Sequence, residues 1–217
     1  MLKFGDWINR KRHNRGFGIQ SPSAFFFITQ VLKERLPYYA YDTLDSIAKE
    51  CGEMKREQCR RLFRITDYHT PANAIAIASV TAACAISSAR RTVPKLLLTQ
   101  KGMIPECARQ HLNAEGCLHM QGDTLQLLKE NLKAYGAIGL LYIGKCDNQP
   151  QLVEAALEHT NKESIIIVEG IHRDKEHKEW WKKVIANHKP IATYDMYSFG
   201  ILFFKDNRPK QNYTLKI

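Results

Sequence analysis

The sequence has no apolar run approaching the ~18 residues that a membrane-crossing helix needs; FFFI, at Phe25 to Ile28, is far too short. The basic opening MLKFGDWINRKRHNRG is not followed by an apolar core, so no signal peptide is expected. Six cysteines (Cys51, Cys59, Cys84, Cys107, Cys117 and Cys146) form no CxxC pair and no Cys/His cluster with zinc spacing. Neither a structural zinc nor a disulfide framework is indicated, and reduced thiols packed in a cytoplasmic protein are the reading that remains. Glycine is scarce at twelve residues, and no GxG follows any predicted strand; Gly16 and Gly18 come closest, but they precede the first predicted helix. Internal repeats, low-complexity tracts and Pro/Gly/Ser linkers are missing too, which argues against several loosely joined domains.

What is there suits one α/β domain. The 217 residues are 44% hydrophobic and 25% charged, enough to bury a core. The net charge is +10, and residues 1–64 hold thirteen Lys+Arg against seven Asp+Glu, so +6 of it lies in that first third. Such a balance permits contact with nucleic acid or another polyanion. Yet Arg56, Arg60 and Arg64 recur every fourth residue opposite Cys59, Leu62 and Phe63, as a solvated helix face would. No aromatic-basic stacking motif supports a nucleic-acid site.

Patterning divides the chain into an N-terminal helical extension, 1–70, and a Rossmann-like domain, 71–217. Ser21 and Pro22 read as N-cap and N1 of a first helix ending near Arg35. Asp42 caps a short second helix, and Lys55 to Tyr68 forms a third. After Pro71, short apolar runs alternate with amphipathic helices. Strands are predicted at Asn73 to Ala78, Lys95 to Thr99, Cys117 to Met120, Ile138 to Ile143 and Ser164 to Val168. Helices fit between and after them, at Thr81 to Arg90, Pro105 to Glu115, Thr124 to Tyr135 and Gln149 to His159. Strands apolar on both faces and separated by helices mean a parallel sheet covered on both sides, a doubly wound α/β fold. A further helix, Lys175 to His188, precedes IATYDM and GILFFK. Only Tyr197-Ser198-Phe199 separates those two strands, so they pair antiparallel. The expected sheet is seven-stranded with that one antiparallel strand, and NYTLKI is available at its edge.

Five βα units, a helix and a terminal hairpin are the element order of class I methyltransferases. GFGIQSPSAFFFITQVLKE followed by YYAYD resembles the opening of a group of bacterial S-adenosylmethionine-dependent methyltransferases related to small O-methyltransferases. GIHRDKEHKEWW, ATYDMYSFGILFFK and the closing YTLKI resemble that group's C-terminal third. The likeness spans nearly the whole chain; it is specific at both ends and weak in the middle.

It implies a glycine-rich turn after the first strand, close to ILELGTSxGxS, against which the cofactor lies. Here the segment is AIAIASVTAACA: Ala76 stands at the acid, Ala78 at the first glycine with Ser79 beside it, and Ala82 near the second. Gln100 takes the place of the acid that meets the ribose. Gly144 and Lys145 replace an Asp-Gly pair after the fourth strand, and Glu169-Gly170 replaces the Asp-Asp or Asp-Asn pair after the fifth. Cation-dependent relatives use those positions for a metal, and one surviving carboxylate is too few ligands; no metal is expected. Two features persist. Asp123, in Gly122-Asp123, stands where the family meets the adenine amino group, although Asp123-Thr-Leu-Gln126 also reads as a helix capping box. His172 matches a family histidine and is the candidate general base.

The candidate cofactor positions are thus Ala78, Ser79, Gln100 and Asp123, the candidate catalytic residue is His172, and S-adenosylmethionine is the cofactor if one is held. The favoured reading is a pseudoenzyme: a degenerate methyltransferase-family protein with impaired or lost cofactor binding, acting in binding or assembly. An active small-molecule O-methyltransferase with an atypical site is the alternative, and a basic nucleic-acid-binding module the second. A small molecule, a protein partner and a second copy of the chain all remain open as partners. The first predicted helix is expected to pack over the mouth of the cleft or on a neighbouring subunit, since Phe25 to Leu32 is too apolar to leave in water.

Overall fold

The structure is a computed structural model describing residues 19–100, 102–204 and 209–215. Helix α1 (Pro22–Phe26) runs into a π-helical segment (Phe27–Leu32), followed by α2 (Tyr41–Cys51) and α3 (Arg56–His69). Then come β1 (Ala74–Ile77), α4 (Val80–Ala89), β2 (Lys95–Thr99), α5 (Glu106–Ala114), β3 (Cys117–Gln121), α6 (Thr124–Tyr135), β4 (Leu140–Ile143) and α7 (Gln149–Leu157). The chain closes with β5 (Ile165–Glu169), α8 (Lys175–Ala186), β6 (Ala192–Asp195), β7 (Phe199–Phe203) and β8 (Gln211–Thr214). Gly16, Gly18, Lys205 and the last two residues of YTLKI lie outside the described residues.

One sheet runs β3-β2-β1-β4-β5-β7-β6-β8. All its pairings are parallel except those of β7, which is antiparallel to both β5 and β6. The sheet has eight strands, not seven: Gln211–Thr214 adds beside β6, parallel to it. Alternation along each strand sorts the core. Ala74 and Ala76 of β1 face α4, while Ile75 and Ile77 face the layer of α6, α7 and α8. Helix α4 is buried from Val80 to Ser88, which explains its unbroken run of small and apolar residues: a helix enclosed on all sides has no polar face to keep. All six cysteines are free, and burial pushes the thiol of Cys59 up to about 12.

Three expectations about the N-terminal helices need correction. The π segment does not cover the carboxyl ends of the strands. Phe27 packs edge-on against Tyr194 and Phe203, ring centroids 5.0 and 5.2 Å away. Phe203 pairs with Ala192 and Ile165, the first residues of β6 and β5, so this contact lies toward the opposite end of the sheet. Phe27, Ile28, Val31 and Leu32 are buried there, but Phe25 and Phe26 stay 45% and 48% exposed. Nor is the whole arginine row solvated: Arg56 is exposed as expected, but Arg64 is only 5% exposed. Its Nε and Nη2 donate to the carbonyls of Val31 and Leu32 at 2.9 and 3.1 Å, and Arg61 Nε donates to Leu32 as well. These guanidiniums satisfy the carbonyls left open where the π segment ends, the negative end of its dipole. Arg60 instead pairs with Asp45 of α2. Finally, α2 begins at Tyr41, so Asp42 lies in its first turn and makes no side-chain cap.

Candidate functional site

Strand order reverses between β1 and β4, since the chain goes outward from β1 through β2 to β3 before returning to β4 on the other side. In open α/β sheets the crevice beyond the strand carboxyl ends at such a point is where ligands bind. In this protein that point is tightly closed. Gly144 N–H donates to Ile77 O at 2.8 Å, and a Cβ on Gly144 would lie 2.5 Å from the Ala78 carbonyl oxygen. Only glycine lets the β4 loop come so near the β1 turn. Ala78 carries the turn with φ of 55°, a left-handed conformation that costs a residue with a Cβ roughly 1–2 kcal/mol.

The next residues close the start of α4. Ser79 is its N-cap, with its Oγ accepting from Ala82 N–H at 3.2 Å. A second oxygen comes from outside the helix. Glu53, in the turn between α2 and α3, accepts from Thr81 N–H at 2.9 Å and from Ser79 Oγ at 3.0 Å. Helix starts leave free N–H groups that suit a ligand's anion; two of those on α4 are already satisfied. Sequence reasoning missed Glu53, because an isolated acid in a short polar turn carries no signal of what it reaches in space.

Gln100 lies exposed in the bend after β2. Asp123 follows β3 and N-caps α6, accepting from Gln126 N–H at 2.8 Å. The expected reciprocal half of the capping box is replaced: Gln126 Nε2 donates to Glu130 at 2.9 Å. The carboxyl ends of three neighbouring strands therefore bring Ala78, Ser79, Gln100 and Asp123 to one edge.

The β4–β5 side of that edge is different. Glu169 ends β5 at 5% exposure. Its Oε2 accepts from Tyr142 Oη at 2.9 Å, and its Oε1 lies 3.1 Å from Lys145 Nζ. Burial, reinforced by this carboxylate, pushes the Tyr142 phenol well above its ordinary range. Gln149 ties the two strand ends together, donating through Nε2 to Gly144 O at 2.6 Å and Glu169 O at 2.8 Å. Its Oε1 is buried with no protein partner. Sequence reasoning named Lys145 and Glu169 as departures from the family pattern but not as a pair.

His172 sits three residues beyond Glu169. Its Nε2 is 2.7 Å from Asp195 Oδ2 at the end of β6, and its ring stacks on Tyr197 at 5.2 Å and 13°. Asp195 Oδ1 accepts from Tyr197 N–H, and Tyr197 holds φ of 69° in the turn to β7. A carboxylate against one ring nitrogen fixes the orientation of an imidazole.

Neither a metal ion nor S-adenosylmethionine fits these residues well. Among the described residues no cluster of three or more His, Cys, Asp or Glu could hold a metal ion. For S-adenosylmethionine, the turn that should be open carries Cβ atoms at Ala78 and Ala82, and the α4 start is capped from within by Glu53 and Ser79.

No family model and no curated protein matches the sequence. Solved structures do match in shape. An SAH-bound methyltransferase of Podospora anserina superposes with a TM-score of 0.64 at 12% identity, over 95% of this chain and 99% of that one. A Klebsiella pneumoniae protein provisionally named an O-methyltransferase gives 0.62 at 15% identity, over 82% and 94%. A Staphylococcus aureus protein provisionally named a caffeoyl-CoA O-methyltransferase gives 0.63 at 12%, over 77% and 93%. Sheet order, the lone antiparallel strand and these superpositions agree: the fold is the Rossmann-like fold of class I methyltransferases.

Proposed function

We propose that this is a degenerate member of the S-adenosylmethionine-dependent methyltransferases, a pseudoenzyme whose fold persists for binding or assembly. The observation that carries the reading is Glu53, whose carboxylate takes the Thr81 N–H and the Ser79 hydroxyl at the start of α4. An incoming anionic group must displace it. Ala78 and Ala82, in place of glycines, and the neutral Gln100 at the ribose position support the same conclusion. Six free cysteines favour a cytoplasmic setting, and no helix of the described residues is long and apolar enough to cross a membrane. In this reading residues 1–70 form the helical extension of the Rossmann-like domain 71–217.

The test is calorimetric titration with S-adenosylmethionine and S-adenosylhomocysteine. Neither should bind at millimolar concentration. Ala78→Gly, Ala82→Gly and Gln100→Glu combined, with Glu53→Ala added, should restore measurable binding.

One observation favours a second reading, an active small-molecule O-methyltransferase with an atypical site. His172, oriented by Asp195 at 2.7 Å, is placed as a general base must be, with Asp123 and Gln100 left to hold the nucleoside. Methyl transfer asks mainly for positioning and a deprotonated nucleophile. Micromolar cofactor binding by the unmodified chain would select this reading.

A further inference from the structure

Glu169 is the one carboxylate at the carboxyl end of β4 or β5 that is almost withdrawn from water, and both its oxygens are engaged. A buried carboxylate needs a compensating charge, because desolvating an ion costs several kcal/mol unless a partner replaces the water. We propose that Lys145 is the resident cation of this cleft: its ammonium holds, at Glu169, the position a divalent ion would need, and the edge is built to work without metal.

The surroundings are shaped for that lysine. Gly170 has φ of 72°, and a Cβ there would lie 3.2 Å from Lys145 Cγ, so the missing side chain makes room for the lysine stem on its way to Glu169. Arg173 packs against the same glycine, its Cδ 3.7 Å from that point, but its guanidinium is directed to Cys146 O and Asp174. Lys145 is therefore the cation that reaches Glu169. Apart from Gln149 Oε1, the oxygens named beside Glu169 are otherwise committed. Tyr142 Oη donates to Glu169, and the carbonyls of Gly144 and Glu169 both accept from Gln149 Nε2. A divalent ion takes six or more oxygen ligands, whereas an ammonium is satisfied by a few acceptors. The site shares its cleft with the pseudoenzyme reading but does not depend on it, since the ion is scored with no nucleoside present.

The experiment is titration of the full-length protein with Mn2+, followed by electron paramagnetic resonance, for the parent, Lys145→Arg, Lys145→Asp and Lys145→Asp/Glu169→Gln. The parent and Lys145→Arg should take up no Mn2+ at millimolar concentration. Lys145→Asp, with two carboxylates and no cation, should bind roughly tenfold tighter or better, and the double variant should lose the gain. Lys145→Met serves the same comparison if Lys145→Asp fails to fold. Mn2+ binding by the parent equal to that of Lys145→Asp would overturn the proposal. So would folded Lys145→Asp and Lys145→Met proteins that both ignore the ion.

Discussion

The two halves of the sheet's carboxyl edge are stabilised in different ways. At β1, β2 and β3 the polar groups are caps and exposed side chains: Ser79 and Glu53 on α4, Asp123 on α6, Gln100 in water. At β4, β5 and β6 they are side-chain pairs built on buried or half-buried carboxylates: Tyr142 with Glu169, the more exposed Lys145 with Glu169, and His172 with Asp195. A cap is replaceable, since many short polar residues serve at a helix start. A buried pair depends on both members, because removing one strands the other. The β1–β3 half thus shows generic helix chemistry, and the other half holds specific constellations.

Where the halves meet, Gly144→Ala should be the most damaging substitution. Its Cβ would fall 2.5 Å from the Ala78 carbonyl oxygen, and backbone has nowhere to go, so a loss of about 3 kcal/mol is expected, measured by urea denaturation. A stability within error of the parent would show that the two halves are not in contact. Next is Glu169→Gln, which leaves Tyr142 an acceptor but removes the charge opposite Lys145. A loss of about 1–3 kcal/mol is expected, and a double-mutant cycle with Tyr142→Phe should reveal coupling between the two residues. Additive effects would place the β4–β5 half on the same footing as the caps. Ser79→Ala should cost about 1 kcal/mol, and less than that in a Glu53→Ala background, where part of the cap is already gone.

The smallest effect is one of pH. Burial lowers His69 and His111 from the ordinary imidazole range. In the unfolded chain both take up protons more readily, so the folded state loses stability as pH falls through about 6.5, the unfolded value. The stability these neutral rings confer is present above that pH. His69→Gln/His111→Gln should flatten the melting-temperature profile between neutral and mildly acidic pH; an unchanged slope would assign acid sensitivity to other groups.

Most of the fold was legible in the sequence because its signal is local. β2 coincides with the predicted Lys95 to Thr99 and α6 with Thr124 to Tyr135, and the three-residue connection at Tyr197 correctly indicated antiparallel pairing of β6 with β7. What stayed hidden depends on residues distant in the chain. The π segment is completed by Arg61 and Arg64, about thirty positions onward, and periodicity places Arg64 in water. Glu53 reads as a solvated turn acid until α4 is docked beside it. Lys145 and Glu169 are legible as departures from the pattern the sequence resembles, but their pairing appears only once β4 and β5 are neighbours.

The central claim is that Glu53 and the turn at Ala78 fill the space a cofactor would need. Its most direct measurement is calorimetric titration of S-adenosylmethionine into the unmodified protein and into the variant carrying Glu53→Ala, Ala78→Gly, Ala82→Gly and Gln100→Glu. No heat from the parent and saturable heat from the variant is the predicted result. Saturable binding to the parent at micromolar concentration would contradict it.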